Sequence, residues 1–560
     1  MYKIQSEKKD YLILFLVGLI LLFFRSAYTL LVPCIYAEDG VWMSSILNNG
    51  FLNTLFHARG DYLVCGNILL LGIVLLLNNM LFGENLNYLP QLVTIVHYCF
   101  YSLFALLPVI CFKKDVRKSF RLLMWFLILT VPLGISAMEV MGKISNIGYL
   151  CYDIAFLLLF YKISNRQELG KLPLAVVDIL LLICCTTHPG SYVLVGTAFF
   201  IDIAIQLKSM ENIPFVYKVQ DLFTSYYNRE WILLGCFCVV FASYDIFVLT
   251  ADLYDGMGMG FTLGTKLTIE FISRFFIFYI VYPFYSNLTD PICLTILAIL
   301  CIASLYVFVS KKIPKTQKFY LAMILFATFV YFIITVATRQ GMLLPLLSNY
   351  TTSYADRYYY GINILAMLAI IYMLNLLTQY TGIASKLFAV LTTAILLINP
   401  FVDLSYIFQY DKEITGWSHV IPFSERIKEA TYDANSGKYI VNIDPESFSV
   451  TMQIDEKQYL ASLQNIRHTQ PLTAANLTDG NWTNGIGVQA GLDNVILLEG
   501  KWLSLIENCT SLTSGTQTVN ILEIRDYGQW VHVVCDTTDL QAFSYPNEIT
   551  YTLKLKQTDG

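Results

Sequence analysis

Two adjacent carboxylates, Glu38 and Asp39, stand in Tyr36-Ala37-Glu38-Asp39-Gly40, directly after the first hydrophobic run of the chain. That run, from about Tyr11 to Val32, is long enough to cross a bilayer, so the pair sits where the chain first emerges into water at a membrane face. A carboxylate there can take a proton from a hydroxyl, and two together could hold a divalent cation, although no ligand cluster in the sequence demands a metal. The pair also fits the polar end of a helix. The residues just beyond it point to chemistry at an interface. Val41 to Tyr62 has helical apolar spacing (Trp42, Ile46, Phe51, Leu55) and ends in Phe56-His57-Ala58-Arg59-Gly60-Asp61-Tyr62, a stretch that can lie along the membrane surface and hold the acids against it.

The elements that position these residues must be membrane helices. Of 560 residues, 56% are hydrophobic and 14% charged, and the mean hydropathy is +0.58, so most of the chain belongs in lipid. Tyr (38) and Phe (37) are nearly equal in number, which suits an extensive membrane–water boundary. The net charge of -5 argues against nucleic acid as a partner. The thirteen cysteines fall mostly inside apolar runs and form no CxxC pair, as expected of small buried residues; Cys509 and Cys535 lie outside those runs and could pair. The first run is too long for a cleavable signal and lacks a small-residue cleavage site, so it reads as a span with Lys3, Lys8 and Lys9 cytoplasmic and the acids on the far side.

Thirteen apolar segments occur, near residues 11–32, 62–82, 90–112, 122–137, 146–162, 172–187, 191–206, 231–250, 268–286, 291–310, 319–338, 361–379 and 386–400. If all cross, the loops at 113–121, 163–171 and 207–230, with ten basic residues, fall on the same side as the acids, against the positive-inside rule. The conflict resolves if one of 62–82 or 90–112, and one of 268–286 or 291–310, does not cross; the first choices are 62–82, whose apolar core between Asn67 and Asn78 is ten residues, and 268–286, with Glu270, Arg274 and Pro283. The expectation is therefore an α-helical polytopic membrane protein with about 11 (range 11 to 13) transmembrane helices. With eleven spans, one extracytoplasmic face collects Glu38, Asp39, His57, Arg59, Asp61, Glu139, Lys143, Asn146, His188, Asp252, Asp255, Arg339, Asp356, Arg357 and Tyr358.

Beyond Pro400 the pattern changes to short alternating runs, such as Tyr439-Ile440-Val441-Asn442-Ile443 and Gln529-Trp530-Val531-His532-Val533-Val534, with turn signals at Asp479-Gly480-Asn481 and Asp526-Tyr527-Gly528. The expected organisation is a transmembrane module over 1–400 with its first extracytoplasmic loop at 33–61, a connector over 401–437 with a short helix around Ser424 to Thr431, and an extracytoplasmic β-sandwich-like domain over 438–560.

The segment Tyr36-Ala37-Glu38-Asp39-Gly40, with Gly50 about ten residues on and Arg59-Gly60-Asp61-Tyr62 after it, resembles the start of bacterial polytopic glycosyltransferases of the GT-C type. Asn146-Ile147-Gly148-Tyr149 and Asp356-Arg357-Tyr358-Tyr359, each opening a span, fit as well. The likeness covers roughly the first 400 residues; Cys65-Gly66-Asn67 stands where a Pro-Arg pair is expected, and the β-rich domain is not general to the group. The resemblance implies a cell-membrane enzyme that transfers a hexosyl or pentosyl group from a polyprenyl-phosphate donor to an outer-face acceptor: polysaccharide, teichoic acid or glycolipid. A first-loop acid acts as base in such enzymes, which here is Asp39 or Glu38. An inverting transfer needs one carboxylate to deprotonate the attacking hydroxyl, while the lipid phosphate that departs needs cations rather than a proton donor.

For that phosphate the first candidate is Arg357, which can clasp two oxygens at once, followed by Arg339, Lys143, His188 and Arg59. Arg357 also fits a snorkelling arginine at the membrane rim, and His188 a polar turn between helices. Acceptor or sugar contacts are expected from His57, Asp61 and Tyr358, with Trp482 and Trp530 of the β-rich domain as stacking platforms. No cofactor is indicated, though the two acids could hold a divalent cation. A transporter or flippase of a lipid-linked saccharide is the alternative, but such chains show paired halves and mid-membrane binding groups, and no such pairing is visible in this sequence.

Overall fold

The computed structural model of the chain describes residues 2–60, 62–131, 133, 137–166, 168–209, 214, 217, 224–251, 290–346, 356–402, 420–433, 435–445, 449–463, 487–488, 494–499, 503–507, 509–526, 530–540, 543 and 550–553. Two compact units emerge, Met1–Val74 with Gln91–Val420, and Leu75–Pro90 with Ile421–Gly560. Apolar runs become helices: α1 (Tyr2–Arg25), α2 (Glu38–Asn49), α3 (Phe51–His57), α4 (Cys65–Phe82), α5 (Leu89–Cys111), α6 (Lys118–Thr130), α7 (Gly148–Ser164), α8 (Lys171–Cys185), α9 (Gly190–Ser209), α10 (Tyr226–Ala251), α11 (Asp290–Val309), α12 (Lys315–Leu346), α13 (Asp356–Tyr380) and α14 (Ile383–Val402). Among the described residues seven helices are long and apolar enough to cross a membrane, and the chain is a multi-pass membrane protein. The apolar segment at 268–286 lies outside the described residues.

Side-chain bonds fix the direction of each helix in the first unit. Asp10 of α1 pairs with Lys118 of α6 at 2.9 Å, and Arg25, at the far end of α1, donates to the carbonyls of Leu129 (2.6 Å) and Val131, so α1 and α6 are parallel. Helix α5 is antiparallel to both, because Ser102 bonds the Phe15 carbonyl (2.8 Å) and Tyr98 the Ser26 carbonyl (3.1 Å). At one end of the bundle Asn375 of α13 bonds the Asp115 carbonyl (3.3 Å), and Gln317 of α12 the Asp115 carboxylate (2.8 Å). At the same end Gln206 of α9 meets Asn228 of α10 at 2.9 Å. At the other end, the backbone N–H of Cys65 bonds the Thr186 carbonyl (3.1 Å), Leu63 bonds Asp245 (3.0 Å), and Tyr244 bonds the Phe56 carbonyl (2.8 Å). Helices α1, α6, α8, α10, α12 and α14 thus run one way and α5, α7, α9, α11 and α13 the other. Helix α5 begins at the end where α1 finishes. Helix α10 finishes and α11 starts at that end too, on either side of residues 252–289, which lie outside the described residues.

Helix α13 is the axis of this unit, with 94% of its apolar window buried and α6, α7, α11, α12 and α14 packed around it. Tyr359, Tyr360 and Tyr372 are fully buried along it. Gly361 allows the closest approach: a β-carbon there would come within 2.6 Å of the Tyr149 carbonyl oxygen of α7.

Among the described residues the second unit carries two antiparallel sheets. Strands β1 (Thr431–Asp433), β2 (Lys438–Asn442) and β3 (Thr451–Ile454) pair in that order, and β4 (Gly487–Val488), β5 (Val495–Glu499), β6 (Cys509–Ser514), β7 (Gln517–Asp526), β8 (Trp530–Cys535) and β9 (Thr550–Leu553) form a sheet of order β4-β5-β8-β7-β6-β9. Tyr439 and Val441 of β2 are buried, as the alternation predicts. Strands β7 and β8 pair across the predicted turn, with Asp526 opposite Val531. Cys509 and Cys535 are buried in the core with Leu512, Val519 and Val533 and form no disulfide with each other. The short helices α15 (Phe423–Lys428) and α16 (Glu456–Leu463) belong to this unit, as does the segment after α4: the Leu86 N–H donates to the Ser462 hydroxyl at 2.8 Å, and Lys457 pairs with Glu84 at 3.1 Å.

Candidate active site

Three segments far apart in sequence meet at the end of the bundle where α1 finishes. The first is the turn into α2. Ala37 there has φ 42°, a left-handed backbone that a residue with a β-carbon seldom adopts. Past this turn Glu38 is exposed while Asp39 is 1% exposed. Asp39 Oδ2 accepts the Ile144 N–H at 3.0 Å, and Oδ1 has no hydrogen-bond partner. Burial pushes the Asp39 carboxyl up to about 7, outweighing the downward pull of Lys143 and of the Ile144 amide. A carboxyl balanced near neutrality suits a general base.

The second segment, residues 137–147, is a one-turn helix (Ala137–Val140) followed by a 3₁₀ turn (Ser145–Ile147) leading into α7. Gly142, at φ 69°, sets its course: its N–H donates to His97 Nδ1 (3.2 Å), and a β-carbon would meet Thr29 and Thr94 at 3.0 Å. Asn67 donates to the carbonyls of Ile144 (2.6 Å) and Ser145 (3.0 Å), and Asn146 to that of Glu139 (2.6 Å). So held, the segment presents Lys143, whose Nζ lies 3.0 Å from the Cys34 carbonyl oxygen and 3.1 Å from its sulfur, beside the Tyr36 ring.

The third is the first turn of α13. Arg357 Nη1 donates to Glu139 Oε2, and Nη2 to the Tyr358 hydroxyl at 3.2 Å; Nε is buried without an acceptor. The hydroxyl of Tyr36 donates to Glu139 Oε1 at 3.3 Å, which ties the motif around Asp39 to the ion pair. Burial raises the Glu139 carboxyl above its ordinary range despite Arg357. Asp39, Lys143, Arg357 and Tyr358 are therefore brought into one cluster.

Other predicted residues fall elsewhere. His188 packs in a cage, 5.7 Å from the Tyr152 ring and 5.3 Å from that of Tyr331, whose hydroxyl bonds the Tyr149 carbonyl (2.8 Å); Tyr149 in turn packs edge-on against Tyr358 at 5.6 Å, so His188 lies behind the cluster. Arg59 stacks on Tyr62 at 4.7 Å, and exposed His57 contacts the Asn53 carbonyl of its own helix at 3.0 Å. Asp61, Asp252, Asp255 and Trp482 lie outside the described residues, as do the side chains of Arg339 in α12 and Trp530 in β8. Among the described residues no group of three or more His, Cys, Asp or Glu side chains is arranged to hold a metal ion. Sequence reasoning placed Glu139 on this face without a role and missed Tyr36, Cys34 and His97 as its supports.

No family model matches the chain, and no curated protein matches it. Among solved structures, the archaeal oligosaccharyltransferase AglB from Archaeoglobus fulgidus, in complex with an inhibitory peptide and a dolichol-phosphate, is similar over 80% of this chain and 60% of that chain, at 11% identity and a TM-score of 0.36. The chain thus spans less than two thirds of that protein's length.

Proposed function

We propose that this chain is an integral membrane glycosyltransferase of the GT-C type that moves a sugar from a polyprenyl-phosphate carrier to an extracytoplasmic envelope glycan or lipid. The observation that carries the reading is the meeting of a buried carboxylate with one unsatisfied oxygen, Asp39, and an arginine with an unsatisfied N–H, Arg357, linked through Tyr36 and Glu139. In the proposed step Asp39 takes the proton of the acceptor hydroxyl as its oxygen attacks the anomeric carbon. The bond from that carbon to the phosphate oxygen breaks, and the electron pair leaves on the lipid phosphate. A single displacement inverts the anomeric centre. Arg357 receives the growing phosphate charge. Lys143, bonded to Cys34 rather than open to a substrate, serves to hold Asp39 ionisable. Tyr358 offers a ring beside the sugar.

Charge supports the orientation. The end of the bundle opposite Asp39 carries Lys113, Lys114, Arg117, Lys118, Arg166, Lys171, Lys208, Arg229, Lys311, Lys312, Lys315 and Lys386, and so faces the cytoplasm. With α4 starting and finishing at the Asp39 end, and residues 252–289 flanked by helix ends there, eleven spans remain: α1 and α5 to α14. The N-terminus is then cytoplasmic, and the β-rich unit follows α14 on the extracytoplasmic side. The test is transfer by the full chain in reconstituted membranes from a panel of polyprenyl-phosphate sugars to the producing cell's envelope glycan. Transfer that falls at least a hundredfold in Arg357→Gln supports the reading; no transfer from any donor, with lipid-linked saccharide moved across the bilayer instead, favours the transporter.

A further inference from the structure

The guanidinium offered to the donor phosphate is occupied by a carboxylate. Arg357 Nη1 donates to Glu139 Oε2, on the edge of the fork that two oxygens of a phosphate would also fit. Glu139 is only 9% exposed at its side chain, against 24% for Arg357, so a buried carboxylate and a partly open arginine neutralise each other. The Glu139 main chain is pinned by Asn146 at 2.6 Å and by the turn at Gly142, which leaves rotation of its side chain as the local freedom. A second partner is in place for the rotated group: the Tyr36 hydroxyl, already 3.3 Å from Oε1.

We propose that Glu139 is a displaceable stand-in for the donor's phosphate: it neutralises Arg357 while the site is empty, yields it to the incoming lipid phosphate, and reclaims it to expel the spent carrier. The proposal rests on the glycosyltransferase reading and adds a device for product release. After transfer the carrier leaves as a phosphate monoester, more highly charged than the sugar-bearing diester, and would hold Arg357 the more strongly. A competing carboxylate fixed beside the same guanidinium counters that grip.

The experiment is direct binding of polyprenyl phosphate to the full chain in lipid nanodiscs, with inorganic phosphate and unphosphorylated polyprenol as parallel probes, for wild type, Glu139→Gln, Glu139→Ala and Arg357→Gln. Replacing a charged competitor by a neutral one is expected to tighten polyprenyl phosphate binding about tenfold and to slow its release correspondingly. Glu139→Ala is expected to move the same way, Arg357→Gln to weaken binding, and polyprenol to respond to none of the three. Binding unchanged or weakened in both Glu139 variants, with Arg357→Gln still weakened, overturns the stand-in while leaving the phosphate site. Binding indifferent to Arg357 as well removes the phosphate site itself. Tightening seen only with inorganic phosphate also overturns the proposal, because the device would then not act on the carrier.

Discussion

If Asp39 is the base, Lys143 tunes it, and Lys143→Met is the sharpest perturbation of that relation. The Asp39 carboxyl stands at about 7 because burial raises it more than Lys143 and the Ile144 amide lower it. Removing the ammonium subtracts a lowering influence, so the carboxyl moves upward. An opposite charge at close range shifts a carboxylate by at least about one unit, worth about 1.4 kcal/mol. The base must be ionised to act, so transfer falls on the acid side of its pKa. A shift from about 7 to about 8 cuts the ionised fraction at pH 7 from about a half to about a tenth, a loss of roughly fivefold in kcat/KM, and leaves the rate near wild type at pH 9. The assay is the pH profile of kcat/KM for transfer by wild type, Lys143→Met and Lys143→Arg, the last expected to keep the acid limb near its wild-type position. A uniform loss at every pH would mean that Lys143 supports the fold or binds the donor, and an acid limb displaced to lower pH would refute the electrostatic argument.

Helix directions and close contacts set further outcomes. A cysteine introduced at Glu84 should react with a membrane-impermeant maleimide from the same side as one at Glu38, and one at Lys113 only from the other; labelling of Glu84 from the side opposite Glu38 would mean that α4 crosses. Gly361→Ala places a β-carbon 2.6 Å from the Tyr149 carbonyl oxygen and should cost about 2–4 kcal/mol, read as a lower Tm in detergent, whereas Gly196→Ala, where nothing lies within 4 Å, should be neutral. Gly142→Ala combines a φ of 69° with contacts at 3.0 Å to Thr29 and Thr94, and should lower transfer along with stability, since the same turn carries Glu139 and Lys143.

Membrane helices were legible because lipid demands long apolar runs, and each predicted run within the described residues is a helix. Their orientation was legible only in part. Helix α4 has mean hydropathy 2.0 and the length of a span; loop charge singled it out in the sequence, and the antiparallel pairing of Ser102 and Tyr98 with α1 supports the proposal that it does not cross. The acid pair was visible as a pair; its division into buried Asp39 and exposed Glu38 depends on the left-handed turn at Ala37, where no glycine gave warning. Arg357 was chosen for its chemistry, yet its partner Glu139 is 218 positions away, beyond the reach of any local pattern. In the second unit β1 holds three residues, too few to show an alternation, so a strand lies where a helix end and connector were expected.

The account stands most directly on Asp39→Asn beside Glu38→Gln, assayed for sugar transfer and for donor binding in the same reconstituted membranes. It predicts that Asp39→Asn loses transfer by at least a thousandfold while donor binding stays within a few-fold of wild type, and that Glu38→Gln retains most of its activity. Full transfer by Asp39→Asn, or loss in Glu38→Gln alone, would contradict it.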